Sequence, residues 1–230
     1  MERRLRLRES LPDTPCFVEA RDLLAWEGSA VAGELGAFVV WSEEDDLAVV
    51  VGSPPPDAVR SATAQCSEIV LLQEPPLDWG PLLDFDTEGA TVLIEARPWS
   101  FPRGVTRWLD PSEFRAAGPL SHVPPSLLDE LRDAMEDDRP VMASFDGRTP
   151  VAFAYAASET ETLYDVSIDT LASHRRRGFA SAAMEGLAET MARRGKRAVW
   201  GAADSDPGSL ALARSLGCVE VGRLWVASRR

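Results

Sequence analysis

A chain of 230 residues that is 45% hydrophobic has enough apolar material for one large domain or two small ones. A net charge of -13 with a pI near 4.6 repels phosphate backbones and anionic lipid, which excludes nucleic acid and membrane as expected partners. The same acidity serves solubility, and it also suits a cationic acceptor such as an amine.

The first predicted element is a helix at Phe17–Trp26, preceded by an N-terminal stretch too charged to read as a secretory signal. Leu35–Trp41 and Leu47–Val51 are apolar and β-branched on either side of the acidic turn Glu43–Asp46, which predicts a hairpin. Pro54, Pro55 and Pro56 stop the second strand, and Asp57–Gln65 follows as a short helix. Ile69–Leu72 and Ala90–Ala96 are further buried strands. Pro98, Pro102, Pro111, Pro119, Pro124 and Pro125 mark residues 98–125 as a connector between two halves.

The second half opens on an amphipathic helix at Ser126–Met135, with Leu127, Leu128, Leu131 and Met135 on one stripe. Val141–Phe145 and Val151–Ala157 are strands joined by a loop holding the turn pair Asp146-Gly147. Leu163–Leu171 is a strand and Gly178–Arg194 a helix that Gly195 terminates in the left-handed conformation. Ala198–Ala202 is a strand, Ser209–Leu216 a helix ended by Gly217, and Val219–Val226 the last strand. A meander followed by strand–helix crossovers predicts an α/β (α+β) class with a mixed central sheet flanked by helices. No apolar run approaches a membrane span, and Cys16, Cys66 and Cys218 are too few and too far apart for a disulfide framework or zinc site. A soluble, cytoplasmic protein without a metal is expected.

The segment from Leu171 to Ala180 carries the sharpest chemistry. Arg175, Arg176 and Arg177 precede Gly178-Phe179-Ala180, where a strand passes into a helix. In such a turn successive backbone N–H groups point outward, and with the helix N-terminus they form an anion site that fits a pyrophosphate. Gly178 admits the ligand to the backbone, Ala180 permits close packing, and the arginines supply charge-assisted bonds. A charged helix start that binds nothing is the plainer alternative for this segment taken alone.

One strand later stands Asp206-Pro207-Gly208-Ser209, opening a helix that closes on Leu216-Gly217-Cys218. Over residues 120–230 the two segments together resemble the GNAT acetyltransferase superfamily. The resemblance implies that Arg175, Arg176, Arg177, Gly178, Phe179, Ala180 and Ser181 cradle the pyrophosphate of acetyl-CoA. It implies backbone contacts from Ile168, Asp169 and Thr170 to the pantetheine arm, on a strand that splays from its neighbour, with Asp206 and Ser209 beside the cofactor. Asp206 stands where asparagine is usual, and as the residue before Pro207 it also suits a plain helix N-cap. Ala213 stands where many members carry a thiolate-protonating tyrosine, and Cys218 replaces a usual phenylalanine. Residues 1–115 resemble the degenerate, non-catalytic leading α/β domain of some two-part members, leaving 118–230 as the acetyl-CoA-binding domain.

Amine acetylation needs a neutral nitrogen, hence a base or an ordered water. Along the strand Asp165, Ser167 and Asp169 share one face while Val166 and Ile168 take the other. A polar row on a central strand is costly unless used or paired. The resemblance, in whose members an acid recurs at this offset before the glycine turn, implies Asp165 as the first candidate base, with Glu159 and Glu161 in the preceding hairpin behind it. His174 and His122 read as loop and connector residues, and the strand aromatics Tyr155, Tyr164, Trp200 and Trp225 as core. The expected activity is direct acetyl transfer to a small-molecule or peptide amine, since no cysteine or serine nucleophile has a base placed beside it. A non-catalytic acyl-CoA sensor and an interaction module with a blocked cleft are the rival classes.

Overall fold

The structure, a computed structural model, describes residues 1–74, 85–96, 106–108 and 120–229. Its helices are α1 (Glu2–Ser10), α2 (Val18–Ala25), α3 (Pro56–Thr63), α4 (Pro125–Glu136), α5 (Phe179–Arg193) and α6 (Pro207–Ser215). The strands are β1 (Ala30–Glu34), β2 (Ala37–Ser42), β3 (Leu47–Val51), β4 (Glu68–Leu71), β5 (Phe85–Glu95) and β6 (Thr106–Trp108). They continue with β7 (Val141–Asp146), β8 (Thr149–Glu159), β9 (Leu163–Thr170), β10 (Arg197–Ala203) and β11 (Cys218–Arg229).

The chain packs as two compact units. One comprises Met1–Ile94, Glu159–Leu163 and Val199–Arg230, the other Glu95–Ser158 and Tyr164–Ala198. This grouping cuts the chain differently from the halves at 115 and 118, because the C-terminal strands belong with the N-terminal elements.

In the first unit the strand order is β1-β2-β3-β4-β11-β5-β10. β2 and β3 form the expected antiparallel hairpin, and β3 and β4 run parallel because α3 carries the chain back across the sheet. β2 alternates between two apolar layers. Phe38 and Val40 pack with Leu7, Val18, Leu23 and Leu24 of α1 and α2, whereas Val39 and Trp41 pack with Val59 and Ala62 of α3. Such two-sided burial explains the unbroken apolar run in the sequence. β10 pairs with β5, and Trp225–Ser228 of β11 pairs with Glu68–Leu71 of β4.

The second unit holds β9, β8, β7 and β6 in that order. Leu127 and Leu131 of α4 pack with Val141, Ala143, Phe145, Phe153 and Tyr155, so these residues mark one face of the sheet. α5 lies on the other face of β7, where a Cβ on Gly186 would stand 2.7 Å from Met142 Cγ. The turn expected within a longer loop at Asp146-Gly147 is tighter than predicted. Asp146 pairs with Thr149 across a two-residue turn, with Gly147 at φ +62°.

Three readings of the chain are corrected. α1 and β1 were not expected: α1 is mostly charged and buries only Leu7, and β1 is interrupted by Gly33, so neither shows a clear apolar period. Within the expected connector at 98–125, Thr106–Trp108 is a strand pairing with Met142–Ser144 of β7, too short to leave a pattern. The connector's Pro98, Pro102, Pro111 and Pro119 lie outside the described residues, whereas Pro125 opens α4. The three cysteines are free. Among the described residues no helix is long and apolar enough to cross a membrane, and no group of three acidic, histidine or cysteine residues is arranged to hold a metal.

Candidate functional site

β9 stays beside β8 to its end, where the Leu171 N–H donates to the Val151 carbonyl at 2.9 Å. A 3-10 turn at Ala172–His174 follows, and α5 begins at Phe179. Between them Arg176 (φ +60°) and Gly178 (φ +87°) are both left-handed, which turns the backbone sharply and leaves its donors outward. Among the described residues, none of the backbone N–H groups of residues 176–181 donates to a protein acceptor, and no side chain caps the helix. A Cβ built on Gly178 would meet nothing within 4 Å. Open amides, a 15-residue helix dipole and clear space together form a cradle for an oxyanion.

The three arginines differ in what they do. Arg175 Nε donates to the Thr170 carbonyl at 3.2 Å, pinning the turn to the end of β9. Arg177 pairs with Asp146 at 2.9 Å, and its guanidinium lies 5.1 Å from the Phe179 ring centroid. Arg176 is exposed and makes no hydrogen bond or ion pair among the described residues, so its guanidinium is the one left for an anion. His174 Nε2 stands 3.5 Å from the same Asp146 carboxylate, and its ring meets Phe179 edge-on.

Two supports of this turn had no role in the sequence reading. Ser144, buried in β7, donates its hydroxyl to the Phe179 carbonyl at 2.8 Å and so ties the first turn of α5 to the sheet. Asp146 was visible only as a turn residue. Both act across more than 30 positions, which no local pattern reports.

On β9, Asp165, Ser167, Ile168, Asp169 and Thr170 are half-buried. Their polar face is the α4 face: Tyr155 Oη, buried in β8, hydrogen-bonds with Ser167 and donates to Glu130 of α4 at 2.8 Å. Burial pushes the Tyr155 phenol well above its ordinary value, so it remains a donor. Burial, then the nearby Glu130 carboxylate, also raises the Asp169 carboxyl, while Arg175 opposes them. Tyr155 is core, as expected, buried in the cluster with Leu131 and Phe153, and its hydroxyl ends on Glu130, an acid between helix leucines that signals nothing in the sequence by itself.

The remaining candidates lie in the first unit. Glu159 is half-buried. Glu161 bonds Arg21 at 2.7 Å and Arg8 at 2.7 Å, and the Arg21 bond holds its carboxyl below the usual carboxylate range. Asp206 accepts from the Ser209 N–H at 3.0 Å and caps α6, and the Ser209 hydroxyl in turn accepts from Trp200 Nε1 at 2.8 Å. Ala213 is fully buried on the same helix.

The Acetyltransferase (GNAT) family matches residues 103–218. No curated protein matches the sequence. Among solved structures, a GCN5-related N-acetyltransferase-like protein from Streptococcus suis superposes with a TM-score of 0.74 at 14% identity, covering 100% of this chain and 99% of its own. A GCN5-related N-acetyltransferase from Kribbella flavida gives 0.61 at 17% identity over 93% of each chain. A tandem GNAT protein from the clavulanic acid biosynthesis pathway gives 0.53 at 13% identity, covering 100% of this chain and 95% of its own. At these identities the neighbours establish the fold, which extends over the whole chain. With the family match reaching across the glycine turn and half of the residues, the chain belongs to the GNAT acetyltransferase family.

Proposed function

We propose that the chain is an N-acetyltransferase that moves the acetyl group of acetyl-CoA directly to an amine on a small molecule or peptide. The observation that carries this reading is the run of open backbone donors at residues 176–181, with the free Arg176 beside them. A pyrophosphate supplies the acceptors this cradle lacks. In the transfer the amine nitrogen forms a bond to the acetyl carbon, the carbon–sulfur bond breaks, and the nitrogen loses a proton. Asp165 is the first choice to take that proton, from the polar face of β9, and Glu159 is the second. Glu161 is the weakest candidate, because two arginines stabilise its ionised form and lower its basicity. No tyrosine stands at Ala213, so the thiolate leaves unassisted or takes its proton from water. Residues 118–230 hold the acetyl-CoA site in this reading, and residues 1–115 form a non-catalytic leading domain.

Calorimetry with acetyl-CoA tests the reading. Saturation at about 100 times Kd stabilises the wild type by roughly 2.7 kcal/mol. Gly178→Asp sets a carboxylate against the pyrophosphate and abolishes binding. Equal affinity in the two proteins removes the basis for the cradle. A panel comprising a polyamine, an aminosugar, an amino acid and a peptide with a free α-amino group, scored by CoA release, then identifies the acceptor class.

A further inference from the structure

The tip of the β8–β9 hairpin is tied to a segment about 140 residues earlier in the chain. Asp13 accepts from the Thr160 hydroxyl at 2.6 Å, from the Thr162 N–H at 3.1 Å and from the Thr162 hydroxyl at 2.7 Å, so both its oxygens are used. Arg21 is 8% exposed, donates to the carbonyls of Arg8 and Leu11, and bonds Glu161 at 2.7 Å. Arg8 completes the frame, donating from Nε to the Arg21 carbonyl at 3.3 Å and pairing with Glu161 at 2.7 Å. The hairpin also closes on itself, with the Thr160 N–H donating to the Leu163 carbonyl and the Leu163 N–H to the Thr160 hydroxyl.

Stability alone gives a weak reason for such a frame. Exposed ion pairs contribute little, and a buried guanidinium offsets its desolvation only when its geometry is well satisfied. What a frame of this kind fixes is register. In a hairpin the turn sets the register, and a slip of one residue sends every side chain of β9, its polar row included, to the opposite face. Asp165 lies two residues beyond the end of the tip at Leu163, and Ser167 and Asp169 follow on the same face. A tip held at Thr160, Glu161 and Thr162 leaves β9 one register.

We infer that Asp13 and Arg21 are positioning residues for acetyl transfer, acting by locking the β8–β9 hairpin so that the acid row of β9 keeps its face and spacing. The inference rests on the proposed transferase reading. It assigns Glu161 to this frame, and it gives the segment from Arg8 to Arg21 a part in a reaction whose acids lie far along the chain.

The test uses the full-length protein with Thr162→Val, which removes one bond at the exposed tip, and with Arg21→Lys and Asp13→Ala. Three readouts are taken: acetyl-CoA affinity by calorimetry, kcat and KM with the best amine of the panel, and amide exchange of Val166–Thr170. The expected result is an acetyl-CoA Kd within about twofold of wild type, faster exchange along β9, and a fall in kcat/KM of about 10-fold for Asp13→Ala and Arg21→Lys, equal to roughly 1.4 kcal/mol of transition-state stabilisation. Thr162→Val is expected to give a smaller change in the same direction. A lower melting temperature with unchanged kcat, KM and β9 exchange overturns the inference and leaves the frame purely structural. If acetyl-CoA binding is absent already in the wild type, the transferase reading fails instead, and the exchange of β9 still reports whether the frame sets the strand. Should Asp13→Ala not fold, Thr162→Val and Arg21→Lys carry the same comparison.

Discussion

At the scale of single residues, three carboxylates of one chain segment sit in three electrostatic settings. Asp165 is half-buried on the polar face of β9. Asp165→Asn keeps the shape and removes the basicity, so kcat is expected to fall about 10²–10⁴-fold with acetyl-CoA affinity nearly unchanged. Wild-type turnover across pH in that variant would move the role to Glu159 or a water. Asp169 is raised by burial and Glu130, so between its unfolded and its folded value the folded chain binds a proton that the unfolded chain has lost. Stability therefore declines as pH rises through the window above the ordinary aspartate value. Asp169→Asn is expected to raise the melting temperature at pH 7, with the gain vanishing at acid pH below that window. Glu161 has the opposite sign: its pKa is depressed by Arg21, so its contribution is present above the unfolded value and is lost as pH falls through the folded one. Glu161→Gln should lower the melting temperature at pH 7 and leave it unchanged in strong acid. Thermal melts at the two pH values check both signs.

At the scale of elements, the glycine turn works because α5 is fixed to β7 at two points. The Ser144 hydroxyl holds its first turn, and Gly186 lets the helix approach Met142. Alanine at 186 gains about 1 kcal/mol of helix propensity but brings its Cβ to 2.7 Å from Met142 Cγ, and overpacking of this kind typically costs about 1–3 kcal/mol. Gly186→Ala is therefore expected to destabilise, and Met142→Ala in the same chain should recover part of the loss. Chemical denaturation of the single and double variants measures the coupling; additive effects would show that the contact relaxes freely. This part of the molecule also shows what a sequence can report. The α5 stripe from Ala183 through Leu187 to Met191 repeats every three or four residues, and Gly195 ends it at φ +77° where a left-handed stop was expected. The turn at 175–180 is local as well, so its residues were legible as a set. Which arginine stays free was not, because Arg177 finds Asp146 at a separation of 31 and Arg175 finds a strand carbonyl. The Tyr155–Glu130 bond was hidden for the same reason, being made by a strand and a helix 25 residues apart.

At the scale of the whole chain, the C-terminal strands find their partners among elements read as a separate domain. Trp225–Ser228 of β11 pairs antiparallel with Glu68–Leu71 of β4, and Val199–Ala203 of β10 pairs with Ala90–Ile94 of β5. Leu163, Val199 and Leu224 belong to the same apolar cluster as Leu7, Val18 and Leu23. No local pattern in β11, a single strand, signals which strands flank it. The strands that complete the sheet around β11 come from the first hundred residues. A fragment of residues 118–230 therefore loses β4 and β5 at once, and with them the backbone acceptors and donors that β10 and β11 use. Buried Ala227 and Leu224 would face water beside two unpaired strand edges, a combination that recruits other chains. The fragment is expected to express poorly or to elute as large oligomers, without a cooperative melt. Adding back residues 1–96 as a separate polypeptide should restore some solubility, because it returns β4 and β5 to their partners. A monomeric fragment that melts cooperatively and binds acetyl-CoA as tightly as the full chain would show that β10 and β11 are stable without the N-terminal strands.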